Sequence, residues 1–272
     1  MAQDDLLVFV HIEKCAGTAV NNWLSTSHHY GNLYIISENV PVASLRWPDV
    51  RPVDLEDPNL RSVASHHLRT YPATVYGRTL RYMTLLRDPI ARWVSYVRYF
   101  NLLTRGPAKT LREYAEWLLD QPGPAQLKQI NGQTNHLVEH EWYRQRRDDV
   151  ELPIDWAADP ELFERYRSVR LAFAKETLSR FDAVGTVERI NDFTRVLQWR
   201  AVGWDVPLIP IAELDHVHQT EGPQVDRSWI TPDDPVGRRL LDAFADDIEL
   251  HRFAERRLAA DVANLDRLAA LP

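Results

Sequence analysis

Residues 6–23 read LLVFVHIEKCAGTAVNNW, from Leu6 to Trp23. Leu6-Leu7-Val8-Phe9-Val10 is an unbroken apolar run of residues that suit a fully buried strand. His11 to Gly17 forms a turn rich in small residues, and Thr18-Ala19-Val20 opens a helix whose apolar positions include Val20, Trp23 and Leu24. A strand, a tight turn and a helix start aim several backbone N–H groups and the positive end of a helix dipole at one point. An anion such as phosphate or sulfate is stabilised there by the backbone itself. Lys14 adds a cation and Thr18 a hydroxyl donor. The nucleotide-binding pattern G-x-x-x-x-G-K-[ST] is absent, because Lys14 precedes the only glycine of the turn. Taken alone, the stretch is equally that of an ordinary strand–helix connection with a solvated lysine.

A second stretch changes the balance. Arg81 to Phe100 reads RYMTLLRDPIARWVSYVRYF. Tyr82-Met83-Thr84-Leu85-Leu86 is another candidate buried strand. Asp88 is a good N-cap, and Pro89 stands at the first helical position, where its missing N–H costs nothing. Arg87 therefore falls at the C-terminal edge of the strand, and Ser95 two turns into the next helix. Both are expected to converge on an anion above a parallel sheet, at the edge where such sheets bind ligands.

Together, HIEKCAGTAV and LLRDPIARWVSYVRYF resemble the sulfotransferases that use 3′-phosphoadenosine 5′-phosphosulfate (PAPS). The resemblance is to the carbohydrate branch that includes the heparan sulfate 2-O and 6-O enzymes. The first block is similar to its 5′-phosphosulfate loop, H-I-P/E-K-T-G/A-G-T-S/T. The second is similar to its 3′-phosphate motif, L-R-D-P-x-x-R-x-x-S-x-Y-x-Y. Cys15 and Ala19 stand where the family carries hydroxyl residues, so contacts there would come from the backbone. The resemblance implies an α/β fold, with a P-loop-NTPase-like central parallel β-sheet flanked by helices and a helical C-terminal part. It implies that Lys14, Cys15, Ala16, Gly17, Thr18 and Ala19 hold the 5′-phosphosulfate, and that Arg87 and Ser95 hold the 3′-phosphate. Lys14 would also stabilise charge on the leaving group. PAPS would be the co-substrate, 3′,5′-bisphosphoadenosine (PAP) the product, and no metal would be needed.

Sulfonyl transfer to a hydroxyl requires a base, and imidazole, with an ordinary pKa near ~6.5, suits that task at neutral pH. His66 and His67 follow a short strand candidate around Val63-Ala64. In the resembled family a histidine ends the strand before the 3′-phosphate strand, commonly as G-H-[FVL]. His67 before Leu68 matches that pattern, with His66 as the alternative base. Ile130-Asn131-Gly132-Gln133-Thr134-Asn135-His136-Leu137 resembles the family segment N-x-Q-T-R-x-L, near the active centre. It implies that Gln133, Thr134 and Asn135 face the substrate, Asn135 replacing the family's arginine. A polar helix start without a role in the site is the competing reading of these residues. Phe181 to Glu188 resembles F-D-x-V-G-x-x-E, a late strand with Glu188 structural, and DDIELHRFAERRL resembles the terminal helix.

Composition sets the outer bounds. The 272 residues fit a single domain over 1–272, with a charged surface insertion at about 141–160. A net charge of −7 argues against a nucleic-acid partner and requires a local cationic cluster for any anionic ligand. The single cysteine suits a reducing compartment. No signal peptide or apolar run of membrane-spanning length is evident, which points to a soluble, bacterial-type cytoplasmic protein. The animal enzymes of the resembled family are Golgi-anchored. His216 and His218 have strand spacing but no cysteine or carboxylate at a suitable position, so no metal site is expected. The acceptor implied by the resemblance is a hydroxyl-bearing sugar or glycoconjugate. Two further readings stay open from the residues: a non-catalytic PAP- or nucleotide-binding homologue, which could dispense with His67, and a P-loop kinase-like phosphotransferase, which would normally carry G-K-[ST] and Mg²⁺ ligands.

Overall fold

The apolar run near the start of the chain is the central strand of a sheet. A computed structural model describes residues 5–28, 33–36, 59–65, 68, 71–75, 77–105, 108–121, 123–127, 129–138, 160–204, 206, 208–210 and 225–270. In it β1 (Asp5–Val10) is buried along its whole length. β2 (Leu33–Ile36), β3 (Ser62–Ser65), β5 (Arg78–Leu86) and β6 (Ala183–Thr186) lie parallel with it in the order β2-β3-β1-β5-β6. The result is the α/β class expected from the sequence: five parallel strands flanked by helices, with a helical C-terminal part. A parallel sheet covered on both faces requires continuous apolar strands rather than alternating ones, which is how β1 and the end of β5 read.

The helices are α1 (Gly17–His28), α2 (Pro89–Tyr99), α3 (Leu102–Arg105), α4 (Leu111–Leu119), α5 (Gly123–Gln126), α6 (Gly132–Leu137), α7 (Pro160–Arg180), α8 (Ile190–Ala201), α9 (Pro235–Ala243) and α10 (Ala245–Ala269). Alternate β1 side chains enter two cores. Leu6, Val8 and Val10 pack with Ala174 and Leu178 of α7 and Leu250 and Ala254 of α10. Leu7 and Phe9 pack with Val20 and Leu24 of α1 and Phe193 and Leu197 of α8. Each buried leucine, valine or phenylalanine among them contributes on the order of 1.5–3 kcal/mol by leaving water. A third core joins α2, α4 and α9 through Trp93, Val97, Leu111, Tyr114, Leu118 and Leu240.

Two features depart from a plain reading of the chain. A two-residue strand, β4 (Thr74–Val75), pairs antiparallel with the start of β5. It is too short to leave a periodic signal, and Gly77, at φ +78°, supplies the left-handed residue of its turn. The helical C-terminal part divides into two helices. Asp234 caps α9 by accepting from the Val236 and Gly237 N–H groups, and the break falls at Phe244, whose fully buried ring joins the third core. The break lets α9 pack on α4 while α10 runs over β6. The expected insertion at 141–160 lies outside the described residues but for Pro160.

The sheet order positions the site. The chain leaves β1 toward β2 and β3 on one side, then crosses to β5 on the other. Adjacent strands whose following segments diverge leave a crevice at their C-terminal ends. The loop after β1 and Arg87 after β5 border that crevice.

Candidate active site

The loop after β1 is strained and held from outside. Lys14 at φ +66° and Ala16 at φ +58° occupy left-handed backbone. For residues with a Cβ this costs roughly 1–2 kcal/mol each. Three long-range bonds offset that strain. Arg92 of α2 donates from Nε to the Glu13 carbonyl at 3.1 Å. Arg87 donates from Nη1 to the Lys14 carbonyl at 3.2 Å. The Cys15 thiol donates to Oε1 of Gln133 at 3.4 Å. Two successive loop carbonyls are thus taken up by guanidinium groups.

The start of α1 carries N–H groups that precede its first intrahelical bond. Val20 N–H makes the first α1 bond, to the Ala16 carbonyl at 3.2 Å. The N–H groups of Gly17, Thr18 and Ala19 come before it and lack an intrahelical acceptor, the arrangement that receives an anion. Gly17 is required by a neighbour: a Cβ there would sit 1.7 Å from Nε2 of His11, whose ring stacks on Phe9 at 5.6 Å. Thr18 is exposed, Lys14 and Ala16 are half-buried, and Cys15, Gly17 and Ala19 are buried.

Lys14 and Arg87 form a cationic pair. Burial, and then the Arg87 charge, hold the Lys14 ammonium below its ordinary pKa. Its Nζ lies 3.8 Å from the centre of the Tyr99 ring, at the end of α2. An anion between Lys14 and Arg87 would relieve their repulsion. Burial pushes the Cys15 thiol up to about 12, even against the nearby Arg92 and Arg87 charges. Cys15 therefore serves the loop as a neutral thiol and through its backbone.

The α2 start forms as its sequence requires. The Asp88 side chain accepts from the Ala91 N–H at 2.8 Å, and Pro89 occupies the first position. Ser95 lies on this helix, buried at 8% exposure. Glu188, just past β6, accepts the Asp88 N–H at 2.9 Å and meets Nε2 of His251 at 3.0 Å. Burial works against ionisation at both members of this pair. Their mutual hydrogen bond and charges outweigh it only together with backbone bonds at Glu188 and the Glu255 and Asp88 charges at His251, holding Glu188 below and His251 above their ordinary ranges.

Residues 133–135, expected to face a substrate, bond within the protein. Gln133 and Thr134 are fully buried. The Gln133 amide is spent on the backbone of Arg87, and the Thr134 hydroxyl donates to Asp247 at 2.7 Å. Asn135 points at α7, accepting from the Tyr166 hydroxyl at 2.5 Å and donating to the Leu127 carbonyl at 2.8 Å. These residues build the floor of the site from within. His66 and His67, the expected bases, and His216 and His218 lie outside the described residues. β3 ends at Ser65, paired with Val10, at the end of the sheet from which the 11–16 loop leaves.

Two contributors stand inside the quoted motifs without a role assigned to them, Arg92 and Asp247. Arg92 is 2% exposed and lies against Gly132, where a Cβ would come within 2.7 Å of the guanidinium. Asp247 is fully buried and accepts from the Gln133 N–H, the Thr134 N–H and the Thr134 hydroxyl. A signal for Asp247 exists in the sequence. It shares the spacing of Leu250, Ala254 and Leu258 and so stands on the buried stripe of α10. No protein-family model matches the chain, and a comparison with curated proteins returns no match. Among the described residues no helix is long and apolar enough to cross a membrane.

Proposed function

We propose that the chain is a sulfotransferase that moves the sulfonyl group of PAPS to a hydroxyl of a carbohydrate or glycoconjugate acceptor. One observation carries this reading. Lys14 and Arg87, from the two motifs, stand in contact beyond the diverging ends of adjacent parallel strands, beside the first N–H groups of α1. Two cations and a helix start at one crevice suit a ligand with more than one anionic group. The −7 net charge makes this a local feature and not a property of the whole surface.

In this reading the N–H groups of residues 17–19, with Thr18, hold the 5′-phosphosulfate. Arg87 and Ser95 hold the 3′-phosphate. His67, or His66 in its place, takes the acceptor proton as the acceptor oxygen bonds to sulfur. The bond from sulfur to the 5′-phosphate oxygen breaks, and that oxygen leaves with the electron pair as part of PAP. Lys14 faces the developing charge, which is electrostatic stabilisation by a group already in place. Such chemistry fits a cytoplasmic setting with PAPS as soluble co-substrate.

Calorimetric titration with PAP, AMP and ATP tests the reading. Tight PAP binding, with AMP weaker by at least about tenfold, supports a 3′-phosphate site. Equal binding of the three nucleotides rejects it. Substituting His67→Ala should then leave PAP affinity intact and abolish transfer; retained transfer moves the base to His66 or elsewhere.

A further inference from the structure

The side-chain amide of Gln133 pairs with Arg87 as a neighbouring strand would. Its Oε1 accepts the Arg87 N–H at 2.8 Å and its Nε2 donates to the Arg87 carbonyl at 2.8 Å. Arg87 is the first residue beyond β5, so the amide extends the pairing by one residue where the sheet has run out. The same Oε1 receives the Cys15 thiol at 3.4 Å. One fully buried amide therefore joins the loop after β1 to the residue after β5. The next N–H, that of Asp88, goes to Glu188 at 2.9 Å, so the peptide units on both sides of Arg87 are fixed. Gln133 is itself anchored, its N–H donating to Asp247 at 3.2 Å.

We propose that Gln133 is a positioning residue that sets Arg87 against Lys14, so that both cations close on one anionic ligand. Under the function proposed above, on which the ligand's identity rests, that ligand is the donor nucleotide. A side chain needed only for its volume would not present a donor and an acceptor to the backbone of a single residue. The pairing is selective for an amide: it requires one oxygen and one N–H at the end of a planar group.

That requirement gives the test. In Gln133→Glu the protonated carboxyl keeps one donor and one acceptor, while the ionised form sets an oxygen against the Arg87 carbonyl. The groups facing this position are Arg87 beyond β5, Arg92 of α2, Cys15 of the loop, Asp247 of α10, and Glu188 with its partner His251. The two arginines favour ionisation, whereas burial and the carboxylates oppose it. PAP affinity by calorimetry, and deuterium exchange at the Arg87 and Asp88 amides, are measured for the intact chain near pH 5.5 and pH 8.5. Each value is normalised to wild type at the same pH. Gln133→Glu should match wild type within about twofold near pH 5.5. Near pH 8.5 it should bind PAP about tenfold more weakly and exchange both amides about tenfold faster. Gln133→Met, which fills the volume without either bond, should be impaired alike at both pH values, with thermal melting used to confirm that it is folded. Wild-type affinity and protection in Gln133→Glu near pH 8.5, or in folded Gln133→Met, overturn the proposal. If wild type fails to prefer PAP to AMP, the donor reading falls by itself. Amide exchange then still decides the brace, since unchanged protection in both variants rejects it.

Discussion

Arg87 reaches across from the end of β5 and donates to the carbonyl oxygen of Lys14, in the loop after the adjacent strand β1, at 3.2 Å. The cation expected to bind one end of a ligand thus also shapes the loop expected to bind the other. Arg87→Ala should weaken PAP binding by roughly 10- to 100-fold, the loss expected for charged hydrogen bonds. The loss for AMP should be smaller, because only the loop effect applies to it. Titrating both nucleotides separates the roles: equal losses would mean that Arg87 acts on the loop alone.

Lys14 is held over the Tyr99 ring at 3.8 Å. Its ammonium has a resting place near the crevice and can exchange the ring for an anion. Under the proposed function, Lys14→Ala should lower turnover by about 100-fold or more, while PAP affinity falls by less, because the charge Lys14 would meet develops during transfer. Single-turnover rates beside binding constants decide this. Turnover equal to wild type removes Lys14 from the reacting centre.

Cys15 is fully buried, and burial raises its thiol pKa to about 12. The folded protein should not react with a thiol-specific disulfide reagent near pH 8, and one equivalent should react on denaturation. Prompt labelling of the native protein would contradict the buried, Gln133-bonded thiol.

Asp247 satisfies three donors on residues 133 and 134 from the interior of α10. Asp247→Ala strands all three and should destabilise the fold by about 3–5 kcal/mol, read from denaturant midpoints. A loss under about 1 kcal/mol would mean that water or another group reaches these donors.

The Glu188–His251 pair gives stability a pH dependence. The folded pKa of His251 is raised, so its contribution is complete below the unfolded value near 6.5 and fades as pH rises through the raised folded value. The folded pKa of Glu188 is lowered, so its contribution is complete above about 4.5 and fades as pH falls through the lowered folded value. The pair therefore contributes most between about pH 4.5 and 6.5. Solvent at Glu188 limits its size to about 1 kcal/mol. His251→Gln should lower Tm by roughly 2–4 °C near pH 5.5 and by less near pH 8.5. A difference that grows with pH would reverse this assignment.

The sequence alone determined the parts that depend on neighbours along the chain. The apolar runs of β1 and β5 are strands because burial on both faces favours such residues, and Asp88-Pro89 starts α2 because the cap and the fixed φ act within one turn. The places of Lys14 and Arg87 at strand ends follow from the same short-range chemistry. Tertiary structure decided what those residues touch. Gln133 reads locally as a polar helix start, yet its amide is spent on Arg87, 46 positions away. Arg92 serves Glu13 across 79 positions, and Asp247 serves Gln133 across 114. A helical or strand period records which face is buried, but not which distant donor arrives there to meet a buried acceptor. That pairing exists only once β1, β5, α6 and α10 have packed together, which is why the floor of the site was legible in three dimensions and not along the chain.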